Sequence, residues 1–140
     1  MNNITGEEYD VEINCIDLTN NEIKFKMLIF IDDSEIVILK AKNNDSYYES
    51  KAEDIFTAFQ KLKDILLENN IGMQCYGSME NVYPSPMMRT GEKAYVLEIG
   101  KKALLKDIVN IFDYVETNKF STSKEQDDYY NKWLKSIIEK

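Results

Sequence analysis

The chain contains no histidine. That removes the Ser-His-Asp and Cys-His arrangements of nucleophilic catalysis and every metal site built on imidazole. It has two cysteines, Cys15 and Cys75, at no metal-ligand spacing, and neither thiol has an imidazole to activate it. Both lie in apolar, strand-like runs. Buried free thiols in a reducing compartment fit that setting, and a single disulfide between them is the other arrangement. There are only five glycines, and they form no phosphate-cradling loop. Gly77-Ser78 lacks the Gly-x-Ser-x-Gly pattern of a nucleophile elbow. The acids Asp32, Asp33 and Glu35 miss the EF-hand spacing and read as a solvated turn. The longest apolar run, residues 27–31, is too short to cross a bilayer. The first ten residues, MNNITGEEYD, lack the basic and apolar regions of a signal peptide. These absences predict a cytoplasmic, non-catalytic protein with no cofactor and no bound metal.

What is present is acid. The 140 residues carry 25 acidic and 17 basic side chains, a formal net charge of −8. Such a field repels phosphate backbones and anionic membranes and attracts basic proteins. The imbalance sits early. Residues 1–80 hold 16 acids against 7 bases, a balance of −9, and residues 81–140 hold 9 against 10, a balance of +1. The polar face of the first strands carries Asp10, Glu12 and Asp17. This face reads either as ordinary solubility or as an acidic surface for a cationic partner.

Length and composition predict a single domain over residues 1–140, long enough to bury one core. Residues 9–16 alternate, with Tyr9, Val11, Ile13 and Cys15 on one side. Residues 23–31 begin by alternating and become wholly apolar, which predicts a strand entering the middle of a sheet. Residues 35–42 read as a third strand of a meander. Helix periodicity then appears at Ala52, Ile55, Phe56, Phe59, Leu62, Ile65 and Leu66, with Ser50 and Glu53 at capping-box spacing. This predicts a helix over 50–69. Further helices are expected over 104–114 and 123–140, the last with Ser123 and Gln126 as its box. Trp133 reads as a packing anchor. The expected fold class is α+β, an antiparallel sheet of about five strands with helices on one face, in the order βββαββαα.

The stretch 75–99, CYGSMENVYPSPMMRTGEKAYVLEI, organises the chain. It holds both prolines and the single arginine, Arg89. It reads as two strands joined by a proline-stiffened loop. Tyr76, Ser78, Asn81, Tyr83, Ser85, Arg89 and Lys93 are the loop's candidate site residues. A preorganised loop suits recognition, because little entropy is lost on binding; the same loop equally suits a cover over the end of the sheet. In a chain that otherwise uses lysine, one arginine suggests that its planar fork is needed.

Cys75-Tyr-Gly-Ser, Asn81-Val82-Tyr83-Pro84-Ser85, Met87 or Met88, Arg89, Gly91 and Lys93-Ala94-Tyr95, followed by Asp107-Ile-Val-x-Ile-Phe112-Asp113, together resemble a family of small acidic bacterial proteins. The family's pattern runs CNG…VYPSGM…R…KAY, and the similarity spans roughly residues 52–113. Tyr76 stands where the family has Asn, and Pro86 where it often has Gly. Some members resemble immunity proteins of polymorphic or contact-dependent growth-inhibition toxin systems. The resemblance implies a binding protein that neutralises a toxin's C-terminal domain, and it implies no catalytic residue. A small-anion binder or an enzyme using Tyr83, Arg89 and Lys93 of the 76–93 loop is the alternative. A structural subunit with no toxin partner is a third.

Overall fold

The computed structural model describes residues 6–17, 19 and 21–138. It is an α+β fold. Strands β1 (Gly6–Asp17), β2 (Glu22–Asp32), β3 (Val37–Lys42) and β4 (Tyr47–Ala52) form a meander, and β5 (Ile71–Met73) returns beside β1, giving the order β4-β3-β2-β1-β5. All pairs are antiparallel. The turns are built by their own side chains. The Asp17 carboxylate accepts from the Thr19 and Asn21 amides, and that of Asp32 from the Ser34 and Ile36 amides. Asp32 thus serves its own turn, and no group of three potential metal ligands occurs among the described residues.

The register turns one side of the sheet inward. Ile13 and Cys15, Phe25, Met27 and Ile29, and Val37, Leu39 and Ala41 are buried there. Helix α1 (Ile55–Glu68) lies across that face and adds Phe56, Phe59, Leu62 and Leu66. The expected cluster of Phe25, Ile29, Val37, Leu39, Phe56, Phe59, Leu62 and Leu66 is therefore one core.

The helix begins later than its sequence signals. Residues 47–52 continue the alternation of β3, with Tyr48, Ser50 and Ala52 inward. Ser50 is a strand residue whose hydroxyl donates to the Ala58 carbonyl at 2.7 Å, and Asp54 is the true cap, accepting from the Thr57 amide at 2.6 Å. Sheet pairing overrode the local box.

A second sheet, β6-β7-β8, consists of Val82–Tyr83, Lys93–Val96 and Ile108–Asn110. The two apolar runs flanking the central stretch therefore belong to different sheets and are not a hairpin. The helix expected over 104–114 does not form. A short 3₁₀ turn, Leu105–Asp107, leads into β8. Its apolar residues share no face: Leu104 and Leu105 are exposed, while Ile111 and Phe112 are buried. The β-branched Ile108 and Val109 pair with Tyr95 and Ala94.

Helix α2 (Ser123–Ile138) closes the chain. Its capping box sits one residue earlier than expected, with Thr122 and Glu125 each bonding the other's amide. Ser123 instead binds Asp64 of α1. Trp133 is buried and anchors α2 as expected. No helix among the described residues is long and apolar enough to cross a membrane.

Phe59 is fully buried, and its ring lies edge-on to Phe112 at 5.7 Å. It also fills the space a Cβ would need at Gly77, where the nearest ring atom would be 2.6 Å away. Phe59→Ala should cost about 3–5 kcal/mol in urea denaturation. A loss below about 1 kcal/mol would place the ring outside the core.

Candidate functional site

The seven loop candidates do not converge on one point. Ser78 is fully buried beside Cys75, with 3.8 Å between oxygen and sulfur. Tyr76 is half-buried at the start of the same 3₁₀ turn. The Asn81 side chain donates to the Leu97 carbonyl at 3.1 Å, and its own carbonyl accepts from the Leu97 amide at 2.7 Å. Ser85 opens the turn Pro86–Thr90, and Lys93 is exposed on β7.

Tyr83 and Arg89 do meet. The Arg89 Nε lies 3.4 Å from the Asp54 carboxylate, and a terminal guanidinium nitrogen donates to Thr57 Oγ1 at 2.9 Å. Its carbon stands 5.2 Å from the centre of the Phe56 ring and 5.7 Å from that of Tyr83. Arg89 thus has the internal carboxylate partner expected of a lone arginine: one planar cation binds the N-cap of α1, a first-turn hydroxyl and two rings together. Tyr83 is stacked on Tyr130 at 4.3 Å, and its hydroxyl donates to Asp127 at 2.7 Å. The loop is a clamp between α1 and α2.

Beneath this clamp lies a polar centre that sequence reasoning missed. Lys63 is 1% exposed. Its ammonium donates to Gln126 Oε1 and reaches Ser121 Oγ at 3.5 Å. Gln60 also donates to Gln126 Oε1, at 3.3 Å. The Gln126 amide nitrogen shares its protons among the carbonyls of Gly77, Met79 and Val82 at 2.8, 2.9 and 3.2 Å. Ser121 donates to the Ser78 carbonyl through both its amide and its hydroxyl. The signal was there. Lys63 falls on the helical stripe of Phe59, Leu62 and Leu66, and Gln126 leads the stripe of Tyr129, Tyr130 and Trp133. The Ser121 hydroxyl donates to a carbonyl and the Lys63 ammonium to Gln126, so the arrangement holds chain segments together.

Burial lowers the Lys63 pKa to about 8, against a smaller opposite pull from Asp64, Cys75, Asp127 and Glu125. Burial raises Cys15 to about 12 and Cys75 to about 11. Both cysteines are free thiols, and such thiols are inert as nucleophiles.

The outer face of the main sheet holds Asp10 and Glu12. Asp17, expected beside them, is not on it, because it shares the parity of inward Ile13 and Cys15 and pairs with core Ile71 at the end of β1. Asp10 pairs with Lys26 at 3.5 Å and Glu12 with Lys24 at 3.6 Å. Hydrogen bonds from Thr19 and Asn21 hold the Asp17 carboxyl below its usual pKa. Between these charges the register sets three apolar side chains, two of them, Leu28 and Phe30, from the run expected to enter the middle of a sheet. Phe30 lies opposite Glu8 and Ile38, and Leu28 opposite Asp10 and Lys40. Leu28, Phe30 and Ile38 are half-buried and do not belong to the core. Among the described residues the helices lie elsewhere: α1 packs on the inner face with Phe56, Phe59, Leu62 and Leu66, and α2 contacts α1 and β6 of the second sheet. The signal was the run MLIFI opposite IVIL, apolar at both parities.

Two measurements check this geometry. Arg89→Lys keeps the charge but loses the fork, and it should cost about 1 kcal/mol and speed hydrogen exchange in the Pro86–Thr90 turn; unchanged exchange would refute the clamp. Lys63 sets a pH dependence. Between about pH 8, where the folded protein loses this proton, and 10.5, where the unfolded chain does, the unfolded state binds more protons and stability rises with pH. The buried thiols oppose this as pH approaches and passes 9, the ordinary thiol value, because there the unfolded chain releases protons that the folded one keeps. Lys63 should therefore contribute a gain of about 1 kcal/mol from pH 7 to 9, read as the difference in pH dependence between the parent protein and Lys63→Met. No difference between the two would mean that Lys63 is not desolvated.

Compared with known protein families and with curated proteins, the chain matches none.

Proposed function

We propose that this protein is a non-catalytic binding module that docks a basic protein domain on the outer face of its main sheet. The observation that carries the reading is the strip Leu28, Phe30 and Ile38, apolar side chains outside the core and uncovered by either helix. Half-buried apolar groups outside the core and ringed by charge match the pattern of protein interfaces, with an apolar centre and a polar rim. Glu8, Asp10, Lys40 and Lys51 stand around the strip. The net charge of −8 adds long-range attraction for a cationic partner.

The acids Asp10 and Glu12 contribute in a specific way. Their ion pairs are exposed and weak, worth well under the energy of a buried pair. A basic partner replaces Lys24 and Lys26 at little cost. Asp17 lies off this face, tied into its turn, and adds only to the general acidic field. The resemblance of the 75–113 stretch to immunity-like proteins supports a toxin domain as that partner. A nucleic acid or an anionic membrane would meet the opposing field. Nothing in the geometry favours the small-anion reading, because Arg89 and Tyr83 are spent on Asp54, Thr57 and Asp127.

Co-expression with the product of the neighbouring gene tests this. A complex is expected, with association near 10⁸ M⁻¹s⁻¹ at low salt as an order of magnitude and slower as salt rises toward about 0.15 M. Leu28→Glu with Phe30→Glu should weaken it by about 2 kcal/mol or more while leaving the thermal midpoint of the free protein nearly unchanged. Asp10→Lys with Glu12→Lys should slow association alone. Absence of a complex, or a complex indifferent to both double variants, would end the proposal.

A further inference from the structure

The connection from β7 to β8 carries a local excess of base in this acidic chain. Residues 101–106, KKALLK, hold three lysines and no acid. The segment is not loose. Gly100 has φ +86°, the left-handed conformation that closes a turn from Glu98 to Lys101. Its amide donates to Ser136 Oγ at 2.8 Å. Trp133 Nε1 donates to the Lys101 carbonyl at 2.7 Å, and the Tyr129 hydroxyl to that of Leu97 at 3.4 Å. One face of α2 thus holds the connection at three points, Tyr129, Trp133 and Ser136, over about two turns of helix.

Between them runs a groove of about 730 Å³. Leu104, Ala103, Ile137 and Tyr129 supply apolar wall, and Lys101, Lys102 and Lys106 stand on its border. The two acids at the groove are already committed. Glu98 lies 3.3 Å from Lys101, and Asp107 accepts from the Leu104 amide at 3.0 Å. Among the described residues Lys102 and Lys106 make no ion pair. Leu104 is 52% exposed and Leu105 84%.

We infer that this groove binds an acidic, leucine-bearing peptide segment of a protein partner. Charge complementarity selects acid: Lys102 and Lys106, without an ion pair among the described residues, border the groove on a chain of net charge −8. The leucines select an amphipathic segment, because large apolar groups left in water beside a preformed groove are covered by a partner's apolar side chains. A small ligand is enclosed on most sides by its site, whereas here the leucines stand out at the rim. This surface takes the opposite charge from the one proposed for the outer sheet face, so the two inferences stand or fall separately.

The assay is built into the molecule. Trp133 is the only tryptophan, and its indole is bonded to the groove's own backbone. The probe is an acetylated peptide of Leu, Asp and Glu patterned as an amphipathic helix, titrated into the purified full chain. Controls are the same peptide with Lys in place of its acids, and dodecanoate. The acidic peptide should change Trp133 emission saturably and shift the amide resonances of residues 97–107. Raising salt should weaken binding, and Lys102→Glu with Lys106→Glu should weaken it about tenfold or more. Leu104→Ser should weaken it without lowering the thermal midpoint, since that side chain lies outside the core. The inference is overturned if neither emission nor resonances respond to the acidic peptide. It is equally overturned if the lysine peptide binds as well, if the double reversal binds like the parent, or if dodecanoate alone occupies the groove.

Discussion

The buried amide of Gln126 is the constraint on which the second half of the molecule depends. The carbonyls of Gly77, Met79 and Val82 all turn toward this amide, and among the described residues only that of Met79 also accepts a backbone donor there, the Val82 amide at 3.2 Å. A buried acceptor left unpaired costs more than the hydrogen bond it would make. One side chain of α2 answers all three and also receives the ammonium of Lys63 from α1. Removing any member leaves the others stranded, so α1, the loop and α2 are positioned as a unit. No buried side-chain nitrogen or oxygen among the described residues lacks a partner.

The two halves of the fold are therefore held by different physics. The main sheet and α1 are joined by apolar burial, with Phe25, Met27, Leu39, Phe56, Phe59 and Leu62 all at or below 2% exposure. The small sheet and α2 are joined largely by directional bonds and by the aromatic series Phe56, Tyr83, Tyr130 and Trp133. Arg89 fits this second scheme. A cation over two rings with its edge on a carboxylate and a hydroxyl is a connector between helix and loop, and it explains why one arginine sits in a lysine chain.

That division shapes what is left for function. With α1 on the inner side of the main sheet and α2 on α1 and the small sheet, the outer sheet face stays open among the described residues, and its apolar strip is set among exchangeable ion pairs. The polar scheme that fastens α2 also fastens the 97–107 connection, so the basic groove is preformed. Each surface presents apolar area without the entropy of a mobile loop.

Period-two alternation over 9–16 and 23–31, and the stripe from Ile55 to Leu66, were legible in the sequence, because each residue's side follows from local geometry alone. From them came the α+β class, the meander, the core cluster and α1. The need of Arg89 for an internal partner was legible from its uniqueness. The acids Asp10, Glu12 and Asp17 were legible as exposed; that Lys24 and Lys26 answer two of them depends on register. Residues 47–52 and 104–114 were misjudged for one reason. Short segments carry both periods, and only a neighbouring strand, β3 for the first and β7 for the second, decided between them. The sequence by itself determined which side chains are apolar, charged or absent, and so excluded histidine chemistry and located the excess of acid. Tertiary structure alone decided that Lys63 and Gln126 meet, that Leu28, Phe30 and Ile38 face outward together, and that Trp133 braces a lysine-bordered groove. Those pairings join residues far apart in the chain, and the only force that selects them is the closing of the whole fold.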